Sequence, residues 1–313
     1  MANQVNRFQT RRELLKAAFG AAGVVVAAPV LRFGLASAQV SGAPNTIKLT
    51  DDLFILQLPG EENVIAQVDA RGCLLVDGGS PKGSDALMNA VAGLPKAGTV
   101  HTLFNTHWHP EQTGSNERLG KAGATIISHE NTRLWLQQNV TWPWGGTVKK
   151  LAKVAQPNKT FYDKGTLDSG VRYGYISDAA HTDGDMYVHF PNQNVLAVGG
   201  AVYGQGWAVT DWWSGGWIGG VCGALQRLQT VADANTKIVP SRGPVLSLAD
   251  LKTQLDMYGT IYDRLSQLLN RGRSPREAVE AKVTKEWDDK LGNSDLFVTR
   301  AFESLWAYVT PDA

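Results

Sequence analysis

Short apolar runs broken by turn residues dominate the first third of the chain. Ile47-Lys-Leu49 and Leu53-Phe-Ile-Leu-Gln-Leu58, with Asp51-Asp52 between them, predict a pair of strands. Asn63 to Val68 predicts a third, and Cys73 to Val76 a fourth after the Asp69-Ala-Arg-Gly72 turn. The period then changes. Leu87, Ala90, Val91 and Leu94 recur at helical spacing behind Ser84, a residue suited to an N-cap. Val100 to Phe104 returns to a strand, as does Ala124 to Ser128, and Asn131 to Asn139 predicts a helix. Strand fragments follow at Phe161 to Asp163, Gly165 to Leu167, Val171 to Ile176 and Val195 to Gly200. From Ala224 the pattern is helical. Leu225, Leu228 and Val231 form one stripe, and Leu251, Leu255, Tyr258, Ile261, Tyr262 and Leu265 another. Ser274-Pro-Arg-Glu277 marks a further helix start, and Leu296 to Val309 completes a helical tail. A meander followed by alternating helices and strands predicts an α/β sandwich of layered sheets and helices.

Composition narrows the function classes. A chain of 313 residues, 43% hydrophobic, has ample core for one large domain or two small ones. A net charge of +1 carries no basic stripe, so a nucleic-acid partner is not expected. Cys73 and Cys222 sit among apolar or small residues and read as free thiols rather than a bridge. Residues 1–38 read as a secretory signal. Arg11-Arg12 with Leu14, Leu15 and Lys16 looks like a twin-arginine motif, an apolar run extends from Ala17 to Leu31, and Ala36-Ser-Ala38 offers a cleavage site. The apolar run is Gly-rich and broken by Pro29, so no stable membrane span is expected and the mature protein is placed in the periplasm.

Candidate chemistry begins at Phe104-Asn-Thr-His-Trp-His-Pro-Glu-Gln112. Two histidines at i and i+2 after a strand end can face one cavity, and neutral imidazole is the commonest ligand for zinc-like ions. The spacing alone also fits two surface histidines. Before this stretch Asp77-Gly-Gly79 ends a strand, and after it His181-Thr-Asp-Gly-Asp185 and Ile238-Val-Pro-Ser-Arg-Gly-Pro244 follow as ordered motifs. With these in place, the chain resembles the metallo-β-lactamase-fold superfamily of metal-dependent hydrolases from about Ile47 to its end.

The resemblance implies a four-layer αββα sandwich over residues 39–247, with a C-terminal helical extension over residues 248–313 packed on it. It further implies a metal held by His107, His109 and His181, with Asp77 orienting a ligand and Asp185 supporting the loop. The departures are as informative. Where the family has His-x-His-x-Asp-His, this chain has Glu111-Gln112 in the last two places; where the family has Gly-Asp it has Gly199-Gly200, and where the family has Gly-His-Gly it has Ser241-Arg242-Gly243. The first ion's ligands survive and the second's are altered at every position. That pattern implies one zinc-like ion rather than two, or none. Three histidines with an open fourth position lower the pKa of a zinc-bound water to about 7. Glu111 is the candidate base, and Arg242 is expected to pair with Glu111 or to hold a substrate oxyanion. Ten tryptophans are many, and six lie in two Gly-rich stretches. Of these, Trp142, Trp144, Trp207, Trp212 and Trp213 are assigned to the wall of an aromatic cleft for a small-molecule substrate. Two readings compete with this one: a catalytically degenerate relative that binds a small molecule or a protein partner in the same cleft, and a two-metal enzyme in which Glu111 and Gln112 serve weakly at the second site.

Overall fold

A computed structural model describes residues 44–58 and 62–309. The expected signal at residues 1–38 lies outside the described residues. The strands, in chain order, are β1 (Asn45–Lys48), β2 (Leu53–Gln57), β3 (Asn63–Asp69), β4 (Gly72–Val76), β5 (Val100–Phe104), β6 (Thr125–His129), β7 (Val140–Thr141), β8 (Thr147–Val148), β9 (Lys159–Phe161), β10 (Lys164–Thr166), β11 (Arg172–Tyr175), β12 (Met186–Phe190), β13 (Val195–Gly199) and β14 (Lys237–Pro240). The helices are α1 (Ser84–Ala92), α2 (Pro110–Thr113), α3 (Asn116–Lys121), α4 (Glu130–Leu136), α5 (Ile218–Val231), α6 (Leu248–Asn270), α7 (Pro275–Glu280), α8 (Lys285–Leu291) and α9 (Asp295–Val309).

Two sheets form the centre. One runs β1-β2-β3-β4-β5-β6-β9 and the other β10-β11-β12-β13-β14, while β7 and β8 make a separate hairpin. Strand alternation sorts the side chains into layers. On β4, Leu74 and Val76 face the second sheet, where they meet residues such as Val188, Phe190, Val195 and Ala197. Cys73 and Leu75 face the other way, onto Leu87 and Val91 of α1 and Leu119 of α3. On β13, Leu196 and Val198 turn outward onto Val221, Leu225 and Leu228 of α5, and the same core takes in Leu251, Tyr258 and Ile261 of α6 and Phe297 and Phe302 of α9. The order helix, sheet, sheet, helix is the expected αββα sandwich, and the helical tail shares its outer core.

The expected cap of the tail at Ser274 is present, and a second one appears at Ser247. Ser247 and Asp250 close a capping box on α6, and Ser274 and Glu277 close one on α7. Two expectations need correction. Ser84 is the first residue of α1, and Gly83 occupies the N-cap. Helix α5 begins at Ile218 rather than Ala224. Its glycines read as loop in the sequence, but they serve close packing. A Cβ on Gly220 would lie 2.1 Å from the Asp178 carbonyl oxygen and 2.3 Å from that of Ala179. Cys73 and Cys222 are both free, as expected. Among the described residues no helix is long and apolar enough to cross a membrane.

Candidate metal centre

The centre forms where strand ends of the two sheets meet. His107 and His109 follow β5, with His109 at the N-cap of the short helix α2, and His181 lies on the loop before β12. Their ligand atoms lie within 4.8 Å of one another. The rings pack edge to face, with centroids 4.7 to 4.9 Å apart.

Hydrogen bonds on the outer side of each ring decide which nitrogen faces inward. His109 Nε2 lies 2.8 Å from Asp211 Oδ2. A carboxylate only accepts, so Nε2 carries a proton, and Nδ1 is the nitrogen turned inward. His181 Nδ1 lies 2.7 Å from the Val209 carbonyl oxygen, so its Nε2 is turned inward by the same reasoning. His109 Nδ1 and His181 Nε2 face each other at 3.0 Å, within hydrogen-bond distance. Asp77 accepts from the Thr106 backbone N–H at 2.8 Å and from the Thr106 hydroxyl at 2.8 Å. With its proton given to Asp77, Thr106 Oγ1 is left to accept from His107 Nδ1 at 3.3 Å, which leaves the third inward nitrogen, Nε2, bare.

Electrostatics favour neutral rings at His107 and His181. Burial, then His181 and His109, holds His107 well below the usual imidazole range. Burial, then His109, brings His181 down to about 3. Burial pushes Asp77 up to about 7 against the Thr106 hydrogen bonds. For Asp211 burial acts upward too, but the hydrogen bond and charge of His109 outweigh it, and its carboxyl ends below the usual range. Asp185 reaches about 6 through burial. It accepts from the His181 backbone N–H at 2.7 Å and the Thr182 hydroxyl at 2.8 Å, and so shapes the turn that carries His181.

The flank beside Gly200 differs from the sequence expectation. A Cβ on Gly200 would lie 2.8 Å from His181 Cδ2 and 2.9 Å from His107 Cε1, so this position abuts the centre and leaves little space. Arg242 does not pair with Glu111. Its Nε donates to Glu62 Oε1 at 3.1 Å, and its Nη2 reaches the same oxygen. The reason is reach: Asn63, next to Glu62, donates from its side chain to the carbonyls of Pro240 and Gly243 and holds the Arg242 loop against the start of β3. Glu111 is exposed on α2, although its charge is felt at Glu62 and Arg242. Burial raises the Glu62 carboxyl above its usual range, opposed by Arg242.

The five cleft tryptophans divide. Trp142 Nε1 donates to Asp211 Oδ2 at 3.1 Å, and its ring lies 5.8 Å from His109. Trp144 stacks on Trp142 at 6.2 Å and carries the Arg300 guanidinium 3.6 Å above its ring. Trp212 meets Trp144 edge-on and donates to Glu303 of α9, and Trp213 packs in the cluster that holds Trp142. Trp207 is a correction. It is 7% exposed and stacks on Phe297 at 4.8 Å, so it belongs to the core beneath α9. Two residues went unnoticed in the sequence, Asp211 and Glu62. Asp211 had one signal, an acid between the tryptophans of a Gly-rich stretch.

Comparison with known proteins follows this geometry. The model of the metallo-beta-lactamase superfamily matches residues 59–253. A hydroxyacylglutathione hydrolase of Erythrobacter litoralis is 27% identical over 129 residues, 41% of this chain and 43% of that protein. One from Hyphomonas neptunium is 27% identical over 110 residues, 34% of this chain and 36% of that protein. The chain thus spans under half the length of these curated relatives. Among solved structures, a metallo-beta-lactamase from Pontibacter korlensis superposes with a TM-score of 0.56 at 20% identity, covering 69% of this chain and 99% of that one. The DIM-1 metallo-beta-lactamase gives 0.57 at 16% identity, covering 70% and 98%.

Proposed function

The chain belongs to the metallo-beta-lactamase superfamily, and on that premise we propose that it is a metal-dependent hydrolase working with one zinc-like ion at His107, His109 and His181. One observation carries the reading. The inward nitrogens of three buried or half-buried histidines converge within 4.8 Å, and two of them, His109 Nδ1 and His181 Nε2, lie 3.0 Å apart. Nitrogens so placed share a proton or a metal cation, and a three-nitrogen donor set suits zinc. Such an ion, when bound with an open position, brings the pKa of a coordinated water to about 7.

The protein's own groups supply the rest. Asp77 through Thr106, Asp211 and the Val209 carbonyl fix the three rings. Glu111, exposed at the first turn of α2 two residues after His109, is our candidate for the general base. Arg242 keeps a half-exposed guanidinium while bonded to Glu62, which suits it to a substrate oxyanion. Trp142, Trp144, Trp212 and Trp213 form the wall for a small substrate. Because the superfamily fold does not name the bond cleaved, the names of the relatives suggest the first assays. These are a hydroxyacylglutathione thioester and a β-lactam.

Elemental analysis after dialysis, with turnover of both compounds before and after chelation, tests the reading. The expected result is about one ion per chain and a metal-dependent turnover of one compound class. A chain with no bound ion and no turnover would instead favour the binding-protein alternative. Export by the twin-arginine route is part of the proposal, motivated by Arg11-Arg12. Replacing both with lysine is expected to leave uncleaved precursor in the cytoplasm, and unchanged processing would refute the route.

A further inference from the structure

We propose that Asp211 is a positioning residue that couples ion occupancy of the histidine centre to the seating of the tryptophan wall, through Trp142. The proposal rests on the three histidines holding an ion. Asp211 is 4% exposed, and one of its oxygens, Oδ2, serves three donors. These are His109 Nε2 at 2.8 Å, Trp142 Nε1 at 3.1 Å and the Ser214 hydroxyl at 2.7 Å. Its backbone N–H donates to the His181 carbonyl at 2.9 Å, so one residue touches two of the three ligands and the wall.

The coupling follows from charge. An ion on His109 Nδ1 draws electrons from the ring and makes Nε2–H a stronger donor to Asp211. Without the ion, His109 Nδ1 and His181 Nε2 lie at hydrogen-bond distance, 3.0 Å, and an ion bound by both has to part the two rings. His109 is anchored to Asp211 on its outer side, so the displacement passes to the carboxylate and to the indole that shares Oδ2. Trp142 stacks on Trp144, and Arg300 of α9 lies over Trp144, so the shift reaches the rim. Trp142 sits on the β7–β8 hairpin, a two-stranded element apart from both main sheets, which leaves it freer to move than the sheet residues.

The test titrates the chelator-stripped full chain with Zn²⁺ alone, following tryptophan fluorescence, with affinity measured by competition against a chromophoric chelator. In the wild type, fluorescence is expected to change in step with the first ion. Trp142→Phe should keep the affinity within about threefold but lose most of that change. Asp211→Ala should bind roughly 10- to 100-fold more weakly. Asp211→Asn keeps a carbonyl oxygen for both N–H donors and should recover most of the loss, which separates positioning from a folding defect. An Asp211→Ala chain as tight as wild type overturns the proposal, as does an undiminished change in Trp142→Phe, or an Asp211→Asn chain as weak as Asp211→Ala. A wild type that takes up no Zn²⁺ overturns the metal-centre reading beneath it, and the proposal with it.

Discussion

The two flanks of the centre solve the problem of buried charge in opposite ways. On the histidine flank every outward nitrogen has an acceptor, namely Asp211, the Val209 carbonyl or Thr106, and the inward nitrogens meet one another. On the Gly200 flank a buried carboxylate, Glu62, is already matched by a guanidinium, and the residue nearest the rings has no side chain. Protein groups neutralise one another on the second flank, whereas on the first imidazole nitrogens converge. The contrast teaches that a site for a cation is marked less by its acids than by nitrogens turned toward one another.

Four changes break or sharpen this contrast. The largest effect belongs to His181→Ala, which removes one of the two opposed nitrogens. Elemental analysis is expected to fall from about one ion per chain to none, and an ion retained there would move the centre elsewhere. Next is Gly200→Asp. A side chain 2.8 Å from one ring and 2.9 Å from another has to displace them. Zinc affinity by chelator competition is therefore expected to fall at least about tenfold, with no second ion gained. A second tight ion in that single variant would erase the difference between the flanks.

Third, Arg242→Ala strands the Glu62 carboxylate, which is 5% exposed. A fully buried pair broken this way costs about 3–5 kcal/mol, but the Arg242 side chain is 46% exposed and partly screened. A loss of about 1–2 kcal/mol in urea unfolding is expected, with much of it restored when Glu62→Gln is added. Equal stability of wild type and single variant would mean the pair does little.

The last effect is one of pH. Burial raises Asp77 from 3.8 to about 7 in the folded chain. A carboxyl raised on folding contributes stability that is fully present below pH 3.8 and lost as pH rises to about 7. In the metal-free protein, urea midpoints of wild type should therefore fall relative to Asp77→Asn across that window, by at most about 1.4 kcal/mol per pH unit. Parallel curves would show that Asp77 titrates normally.

What the sequence disclosed follows the range of the forces involved. The strand at Val100–Phe104 and the cap at Ser274 rest on neighbours within a few residues, and they read directly. His107 and His109 read from spacing, and His181 from its motif. Asp211 and Glu62 did not, because their partners lie 102 and 180 residues away along the chain. Trp207 and Trp142 sit in similar Gly-rich stretches, yet Phe297 of α9 covers one and Asp211 holds the other. No local pattern separates them, since the choice is made by whichever distant element arrives.

The placement of the ligands has a kinetic consequence. His107 and His109 hang from the seven-stranded sheet, and His181 leads into the five-stranded one. An unfolded chain, or one with a single sheet formed, cannot present all three nitrogens at once. Ion capture is then a late event that acts as a latch between the halves of the sandwich, adding nothing until they dock and slowing their separation afterwards. Amide hydrogens of β5 and β12, on opposite sheets, are expected to exchange as one cooperative unit in the loaded protein and as two after chelation.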